Sequence, residues 1–213
     1  MDTGVDIISF DLDSTLITDE GDKHLWNELI PQEYAQNRNI SLEKAKKEVY
    51  AAYYHAEHIE HADEAKQIHY WVNRLNLAGK KDFNEALADA TTPYDDVDAL
   101  NDLKENHTIT LFTNSSRGLM EAKLDRLPDN IFQKTISAPT DYNSNKRNHK
   151  AWLTYLDDLD TRGGNVMHIG DRIIDDVQVP SRLGINGRLL NRDDDQTADY
   201  TSLHDIQDNI SQH

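Results

Sequence analysis

The 213-residue chain contains no cysteine, and its 22 basic residues are outnumbered by 39 acidic ones. Without cysteine there can be no disulfide and no thiolate metal site, and folding needs no oxidising compartment, so a cytoplasmic protein is expected. No apolar run approaches the roughly 18 to 20 residues that cross a bilayer. Nor does the N-terminus show a basic stretch followed by an apolar one, so the chain is expected to be soluble and unprocessed, with no membrane partner. The formal charge of -17 repels phosphate backbones and makes nonspecific nucleic-acid binding a poor expectation. Any phosphate group handled here needs a local cation.

The length allows one large domain, or a domain carrying an insert. Acidic residues divide unevenly into 28 Asp and 11 Glu. Runs such as Asp157-Asp158 and Asp193-Asp194-Asp195 suit a solvated surface. No internal repeat or low-complexity segment interrupts the chain. Short apolar segments at Val5 to Phe10, Thr108 to Thr113, Lys134 to Ala138, Asn165 to Ile169 and Gly187 to Asn191 have the character of strands buried on both faces. Helical patterns alternate with them at Asp98 to Glu105, Arg117 to Leu127, His149 to Leu159 and Asp175 to Leu183, which predicts an α/β fold with a doubly wound parallel sheet.

One connection is far longer than a crossover helix requires: the stretch between Phe10 and Thr108. Its interior has apolar positions three or four apart over Lys23 to Asn37, Ser41 to His61, Asp63 to Leu77 and Asp82 to Ala90. That periodicity predicts an inserted helical domain over 19–91, with the core formed by 1–18 and 92–213. Gly21, in the outgoing linker Thr18 to Asp22, offers the backbone freedom of a hinge. Thr92 as N-cap and Pro93 as first helical residue are expected to restart a helix, with Asp95 and Asp96 at its positive end. After the acidic loop, a short extended piece at Ala198 to Thr201 and a final helix from Ser202 close the chain.

In an open parallel sheet, chemistry gathers outside the carboxyl ends of the strands. The first strand ends in Phe10-Asp11-Leu12-Asp13-Ser14-Thr15-Leu16. Paired Asp at this spacing is uninformative alone: about three or four such pairs are expected by chance at this composition. Four occur, but Asp11 with Asp13 alone follows a buried strand. The second strand ends at Thr113-Asn114-Ser115-Ser116, which places a hydroxyl and free amides at a helix start, a setting suited to an anion. The fourth ends at Gly170-Asp171, with Asp175 and Asp176 close behind.

In this order the motifs resemble those of the haloacid dehalogenase-like (HAD) hydrolase superfamily: strand and Asp-x-Asp-x-Thr, helical insert, strand and Thr-Asn, lysine, strand and Gly-Asp with a further Asp four or five positions on. The ending Gly184-Ile185, Ala198-Asp199-Tyr200, Ser202-Leu203-His204-Asp205-Ile206 is similar to that family too. The resemblance implies Asp11 as a nucleophile that takes a phosphoryl group, and Asp13 as the acid that protonates the leaving oxygen and then activates water. It implies Thr113 and the amide of Asn114 as phosphate ligands. It also implies a Mg²⁺ site formed by Asp11, Asp171, Asp176 and the backbone carbonyl of Asp13, since this hard ion prefers oxygen ligands. The phosphate-facing lysine is Lys146, 25 residues before Asp171, or Lys150, 21 before it; spacing favours Lys146, although Arg147 follows it where the family often has proline. Thirteen residues from Asp171 to Gly184 favour Asp176 over Asp175 as the last acid.

The family's dehalogenases lack an acid two positions after the first Asp, so Asp13 favours phosphoryl transfer. The expectation is Mg²⁺-dependent hydrolysis of a small phosphorylated metabolite. A sugar-phosphate mutase of the same fold and a noncatalytic phosphate- or metal-binding domain are the alternatives.

Other features suggest blander roles. His55, His58 and His61 recur every three residues on one helix but lack the accompanying ligand of a helical metal pair, and a solvated or packed face is expected. Trp26, Tyr53, Tyr54, Tyr70 and Trp71 suit the core of the helical insert, with a minority facing a cleft. Lys23 and His24 suit the surface. Arg117 suits either a substrate carboxylate or solvent.

Overall fold

The computed structural model describes residues 5–60, 67–77, 82–193 and 197–211. After β1 (Ile7–Phe10), the chain enters α1 (Glu20–His24), which runs through a π-helical turn at Leu25–Leu29 into α2 (Ile30–Arg38). Then follow α3 (Leu42–His58), α4 (Ile68–Arg74), α5 (Phe83–Ala90) and α6 (Ala99–Asn106). Beyond β2 (Thr108–Thr113) come α7 (Arg117–Leu124), β3 (Lys134–Ser137), α8 (Ala138–Asp141) and α9 (His149–Asp158). The rest comprises β4 (Val166–Gly170), a π-helical segment at Ile173–Gln178, α10 (Val179–Ser181), β5 (Asn186–Leu189) and α11 (Leu203–Ser211). Among the described residues no helix is long and apolar enough to cross a membrane.

The five strands form one parallel sheet in the order β3-β2-β1-β4-β5. Both faces are covered, which is why β1 and β4 are buried along their whole length. Ile8, Phe10, Ile109, Leu111 and Ile169 pack on one side with α6 and α11, through Leu100, Leu103, Leu203 and Ile206. Ile7, Phe112, Ile136 and Val166 pack on the other with Trp152 and Tyr155 of α9. The order reverses on either side of β1, so β1 and β4 open a crevice at their carboxyl ends.

Helices α1 to α5, between β1 and β2, have their own apolar cluster of Leu25, Ile30, Val49, Trp71, Phe83 and Leu87, which Leu119 of α7 joins. Ser41 caps α3, its hydroxyl accepting the Lys44 N–H at 3.3 Å. Asp82 caps α5 by accepting from the amides of Asn84 and Glu85.

Several boundaries differ from the sequence expectations. Thr92 and Pro93 do not restart a helix. The outgoing and returning strands of the insert pair instead: Thr18 N–H donates to Thr92 O at 2.9 Å, Tyr94 N–H donates to Leu16 O at 3.1 Å, and Ile17 bridges Pro93. The next helix begins only at Ala99. Asp96 tethers α11, accepting from Arg192 Nη1 at 2.5 Å and Leu203 N–H at 2.7 Å. Gly21 is no open linker residue but a buried part of α1, where a Cβ would lie 3.1 Å from the carbonyl oxygen of Ala90. Of the helix expected over 63–77 the structure has Ile68–Arg74; residues 63–66 lie outside the described residues, as does His61. The extended piece near Tyr200 pairs in parallel with Leu190.

Candidate active site

Asp11 leaves β1 at the centre of the sheet, its N–H donating to Ile169 O at 2.8 Å. That bond carries the β1/β4 ladder one residue further and aims the buried carboxylate into the crevice. Across the crevice the loop before α9 delivers Lys146. Its N–H donates to Asn114 Oδ1 at 2.8 Å and its carbonyl accepts Trp152 Nε1–H at 2.7 Å. Held from both sides, Lys146 is only 1% exposed, and its ammonium donates to Asp11 Oδ1 at 2.5 Å and Asp176 Oδ1 at 2.6 Å.

Asp176 is fixed at both oxygens. Oδ1 also meets His168 Nε2 at 3.1 Å, and Oδ2 accepts the Arg172 N–H at 2.9 Å. Gly170 permits this geometry, since a Cβ there would lie 2.4 Å from Asp176 Cγ. Burial pushes the His168 pKa down to about 4, so the imidazole is neutral. An acceptor-only carboxylate beside Nε2 places the proton there, leaving Nδ1 to accept from the Ser9 hydroxyl at 2.8 Å. The Asp176 end of the crevice is thereby anchored through His168 to Ser9 in β1.

Burial raises the Asp11 pKa to about 7, with Lys146 opposing and the like charges of Asp176, Asp171 and Asp13 adding. Burial and Asp176 push Asp171 up to about 6. Burial would raise Asp176 too, but Lys146 and His168 outweigh it and hold its carboxyl well below the usual range. Burial alone would lower Lys146; Asp11 and Asp176 keep it firmly charged.

Asp13 lies two residues on and faces elsewhere. Its Oδ1 accepts from Lys123 Nζ at 2.5 Å and its Oδ2 from the Ser115 hydroxyl at 2.5 Å. Lys123, on α7 and 1% exposed, donates its other hydrogen bond to Asp22 Oδ2 of α1 at 2.6 Å. Burial favours the neutral acid at Asp13, but Lys123 and Ser115 prevail and its pKa is lowered. Burial and Asp13 raise Asp22 to about 6.

The structure thus brings Asp11, Asp171, Asp176 and Lys146 together and puts Asp13 beside them in a second polar pocket. Lys146 rather than Lys150 enters the crevice; Lys150 is exposed on the first turn of α9. Asp176 rather than Asp175 faces it, because Asp175 is bound outward by Arg147 Nε at 2.9 Å. Thr113 ends β2, buried, with its hydroxyl accepting the Ser115 N–H at 3.1 Å. Asn114 uses its side chain on Lys146. Arg117 is committed to Asp141 and the Thr135 carbonyl, which ties α7 to β3. Lys23 pairs at the surface with Asp19 at 2.8 Å. Trp71 is core, packed on Tyr53 at 4.5 Å between ring centroids, whereas Tyr54 is exposed and stacks on His58. His55 pairs with Glu60 at 3.1 Å.

Lys123, Asp22, Ser115 and His168 escape a reading of the sequence motifs. Lys123 carried a usable signal. It lies three and four positions after Met120 and Leu119 on the inward face of α7, where a lysine is buried only if paired.

Asp11, Asp171 and Asp176 each offer a ligand oxygen, all within 4.8 Å of one another. Three converging carboxylates, two with raised pKa values, match the all-oxygen donor set of a hard divalent cation. The Asp13 carboxylate does not join them, since its two oxygens are turned to Lys123 and Ser115.

A family model described as haloacid dehalogenase-like hydrolase matches residues 5–184. No curated protein matches the chain significantly in sequence. Among solved structures, a HAD phosphatase from Thermococcus onnurineus superposes with a TM-score of 0.80 at 19% identity, over 97% of this chain and 98% of that one. A 2-haloacid dehalogenase from Pseudomonas syringae pv. Tomato superposes with a TM-score of 0.70 at 17% identity, over 98% and 99%. The HAD-hydrolase YfnB from Bacillus subtilis, solved with magnesium bound, gives 0.68 at 16%, over 97% and 99%. At these identities the likeness is one of fold.

Proposed function

The chain belongs to the haloacid dehalogenase-like hydrolases, and on that footing we propose that it is a Mg²⁺-dependent phosphatase acting on a small phosphate monoester through an aspartyl-phosphate on Asp11. The helical segment 19–91 serves as a cap over the core formed by 1–18 and 92–213. One observation carries the choice of phosphatase over dehalogenase: a second carboxylate, Asp13, stands two residues after the nucleophile, and two donors, Lys123 and Ser115, hold its oxygens in place.

An Asp11 oxygen attacks phosphorus while the bond to the leaving oxygen breaks, and Asp13, which takes up a proton as the anionic substrate binds, gives that proton to the leaving oxygen and makes it an alcohol. Water then attacks the phosphorus of the aspartyl-phosphate, Asp13 takes the proton from that water, and the Asp11–phosphorus bond breaks to free inorganic phosphate. Lys146, the Thr113 hydroxyl and the Asn114 amide bind the phosphoryl oxygens in both steps. Mg²⁺ held by Asp11, Asp171, Asp176 and the Asp13 carbonyl would neutralise the charge of nucleophile and substrate. Uncatalysed phosphate-monoester hydrolysis is so slow that accelerations reach about 10²¹-fold, so charge neutralisation and positioning must both contribute. In a protein of net charge -17, Lys146 is the local cation a phosphate requires.

The test is release of inorganic phosphate from 4-nitrophenyl phosphate and a panel of sugar, glycol and glycerol phosphates with Mg²⁺. Asp11→Asn, near-isosteric, is expected to remove turnover while melting as wild type does. Undiminished turnover in that variant sinks the nucleophile assignment, an isomerised ester in place of free phosphate identifies a mutase, and halide release from a haloacid identifies a dehalogenase.

A further inference from the structure

The phosphatase reading leaves one buried cation without a role. Lys123 contacts none of the three converging acids Asp11, Asp171 and Asp176 through the hydrogen bonds it makes, yet it is as buried as Lys146. A buried ammonium persists only where its protons are satisfied, and both identified partners are carboxylates from other parts of the fold: Asp13 after β1, and Asp22 on the first helix of the insert.

Around this pair, α7 is the seat of the insert. Leu119 joins the insert's apolar cluster, and Gly118 faces Asn84, whose amide nitrogen would lie 3.6 Å from a Cβ there. Arg126, just beyond α7, reaches the Ala88 carbonyl at 2.7 Å and Asp89 at 2.9 Å. Residues 118, 119, 123 and 126 thus line one stripe of helical spacing against the insert, with Lys123 as its buried polar member. A displacement of α1 from α7 would take Asp22 away from Lys123 and leave the ammonium with Asp13 and no second carboxylate.

We propose that Lys123 is a positioning residue that ties the carboxylate of Asp13 to Asp22, so that the acid–base group is held in its working place only while the insert is seated on α7. This rests on the phosphatase reading and extends it: the insert controls the proton-transfer step, and Asp22 is the residue through which it does so. Ser115 fixes the other oxygen of Asp13 from the β2 side, so the carboxylate plane is defined by one donor from the sheet and one donor shared with the insert.

The consequence is a dependence on leaving group. An alkoxide needs a proton as it departs, a contribution of about 10²- to 10⁴-fold from a well-placed acid, whereas 4-nitrophenolate departs without one. The experiment compares kcat and KM of wild type, Asp22→Ala, Lys123→Met and Lys123→Arg on an alkyl phosphate monoester and on 4-nitrophenyl phosphate with Mg²⁺. Circular dichroism confirms the fold of each. Lys123→Met is expected to lose about 10²-fold in kcat on the alkyl ester and less than about tenfold on the aryl ester, with KM changed less than about threefold. Asp22→Ala is expected to lower the alkyl-to-aryl ratio by about tenfold, and Lys123→Arg to recover part of what Lys123→Met loses. Equal losses on both esters, or none, overturn the proposal, because a merely structural role cannot distinguish leaving groups. Should Lys123→Met fail to fold, the ratio in Asp22→Ala decides: an unchanged ratio overturns it. Wild-type turnover with unchanged ratios sinks the positioning role alone, whereas no turnover of any ester by wild type sinks the phosphatase reading and this role with it.

Discussion

Lys123 and Lys146 are buried to the same degree, and each lies between two aspartates at 2.5 and 2.6 Å, yet the two pockets are built differently. The two aspartates around Lys146 follow adjacent strands, Asp11 at the end of β1 and Asp176 in the π-helical segment after β4, and Asp176 is backed by the amide of Arg172 and by His168, which Ser9 holds in turn. The partners of Lys123 come from two pieces of chain that are independent in the sheet: the loop after β1 and helix α1. The first pocket is as rigid as the sheet. The second is only as fixed as the seating of the insert, which suits a group that must respond to substrate rather than merely await it.

Replacing the cation in each pocket breaks the comparison most severely. Lys146→Met leaves Asp11 and Asp176 buried against each other and Asp171, and removal of one partner from a buried ion pair typically costs about 3–5 kcal/mol. That variant is expected to melt far below wild type and to lose at least about 10³-fold in kcat on both esters, since phosphate binding serves every substrate. Thermal melts with rates on the two esters check this. A Lys146 variant that keeps wild-type rates on the aryl ester would contradict the assignment of Lys146 to the phosphate.

Acidity and metal distinguish the pockets next. Asp11, Asp171 and Asp22 have folded pKa values of about 7, 6 and 6, above the ordinary 3.8. The folded chain therefore holds protons that the unfolded chain has released. Their stabilising contribution is full below about pH 3.8 and is lost as pH rises towards 7. Asp13 and Asp176 have lowered values, so their contribution is present above 3.8 and is lost only in acid. His168, lowered to about 4, works the other way and adds stability as pH rises from 5 to its ordinary 6.5, but the three raised acids together outweigh it, and the metal-free protein is expected to lose a few degrees in Tm between pH 5 and 8. Mg²⁺ favours the ionised Asp11 and Asp171 and should shrink the fall. The remainder belongs to Asp22 in the other pocket, and Asp22→Asn should remove it. A Tm that rises steadily from pH 5 to 8 without metal would contradict the burial assigned to these acids.

How much of this was legible follows the same division. Strand ends in a buried parallel sheet are written in short apolar runs, so Asp11, Thr113 and Asp171 could be placed from the sequence. Lys146 and Asp176 followed from spacing along a resembling family. The insert's helices were legible as a class, because apolar spacing reports a buried stripe, but their joints were not. Thr92 and Pro93 carry good helix-start chemistry, yet the pairing of residues 16–18 with 92–94 satisfies the same backbone groups and prevails. Such pairing is nonlocal, as is the meeting of Lys123 with Asp13 and Asp22 across the chain. Asp22 lies in a stretch whose composition suggests a solvated linker, and nothing local distinguishes it from Asp19, which pairs with Lys23 at the surface.

The mildest perturbation tests the seating itself. Gly21 adopts no left-handed conformation; its missing Cβ matters because one would lie 3.1 Å from Ala90 O and 3.3 Å from Thr91 Cα, at the end of α5. Gly21→Ala gains helix propensity of about 1 kcal/mol and loses a comparable amount to the forced backbone shift, so global stability should change by about 1 kcal/mol or less. The shift moves α1, and Asp22 is the next residue. Gly21→Ala should therefore lower the alkyl-to-aryl ratio of kcat in the same direction as Asp22→Ala and by less, while the Mg²⁺ effect on melting stays at its wild-type size because the Lys146 pocket is untouched. Urea titrations and the two-ester assay measure both. If the ratio holds while stability falls, the position of α1 does not reach Asp13, and the contrast between a sheet-bound and an insert-bound lysine loses its functional meaning.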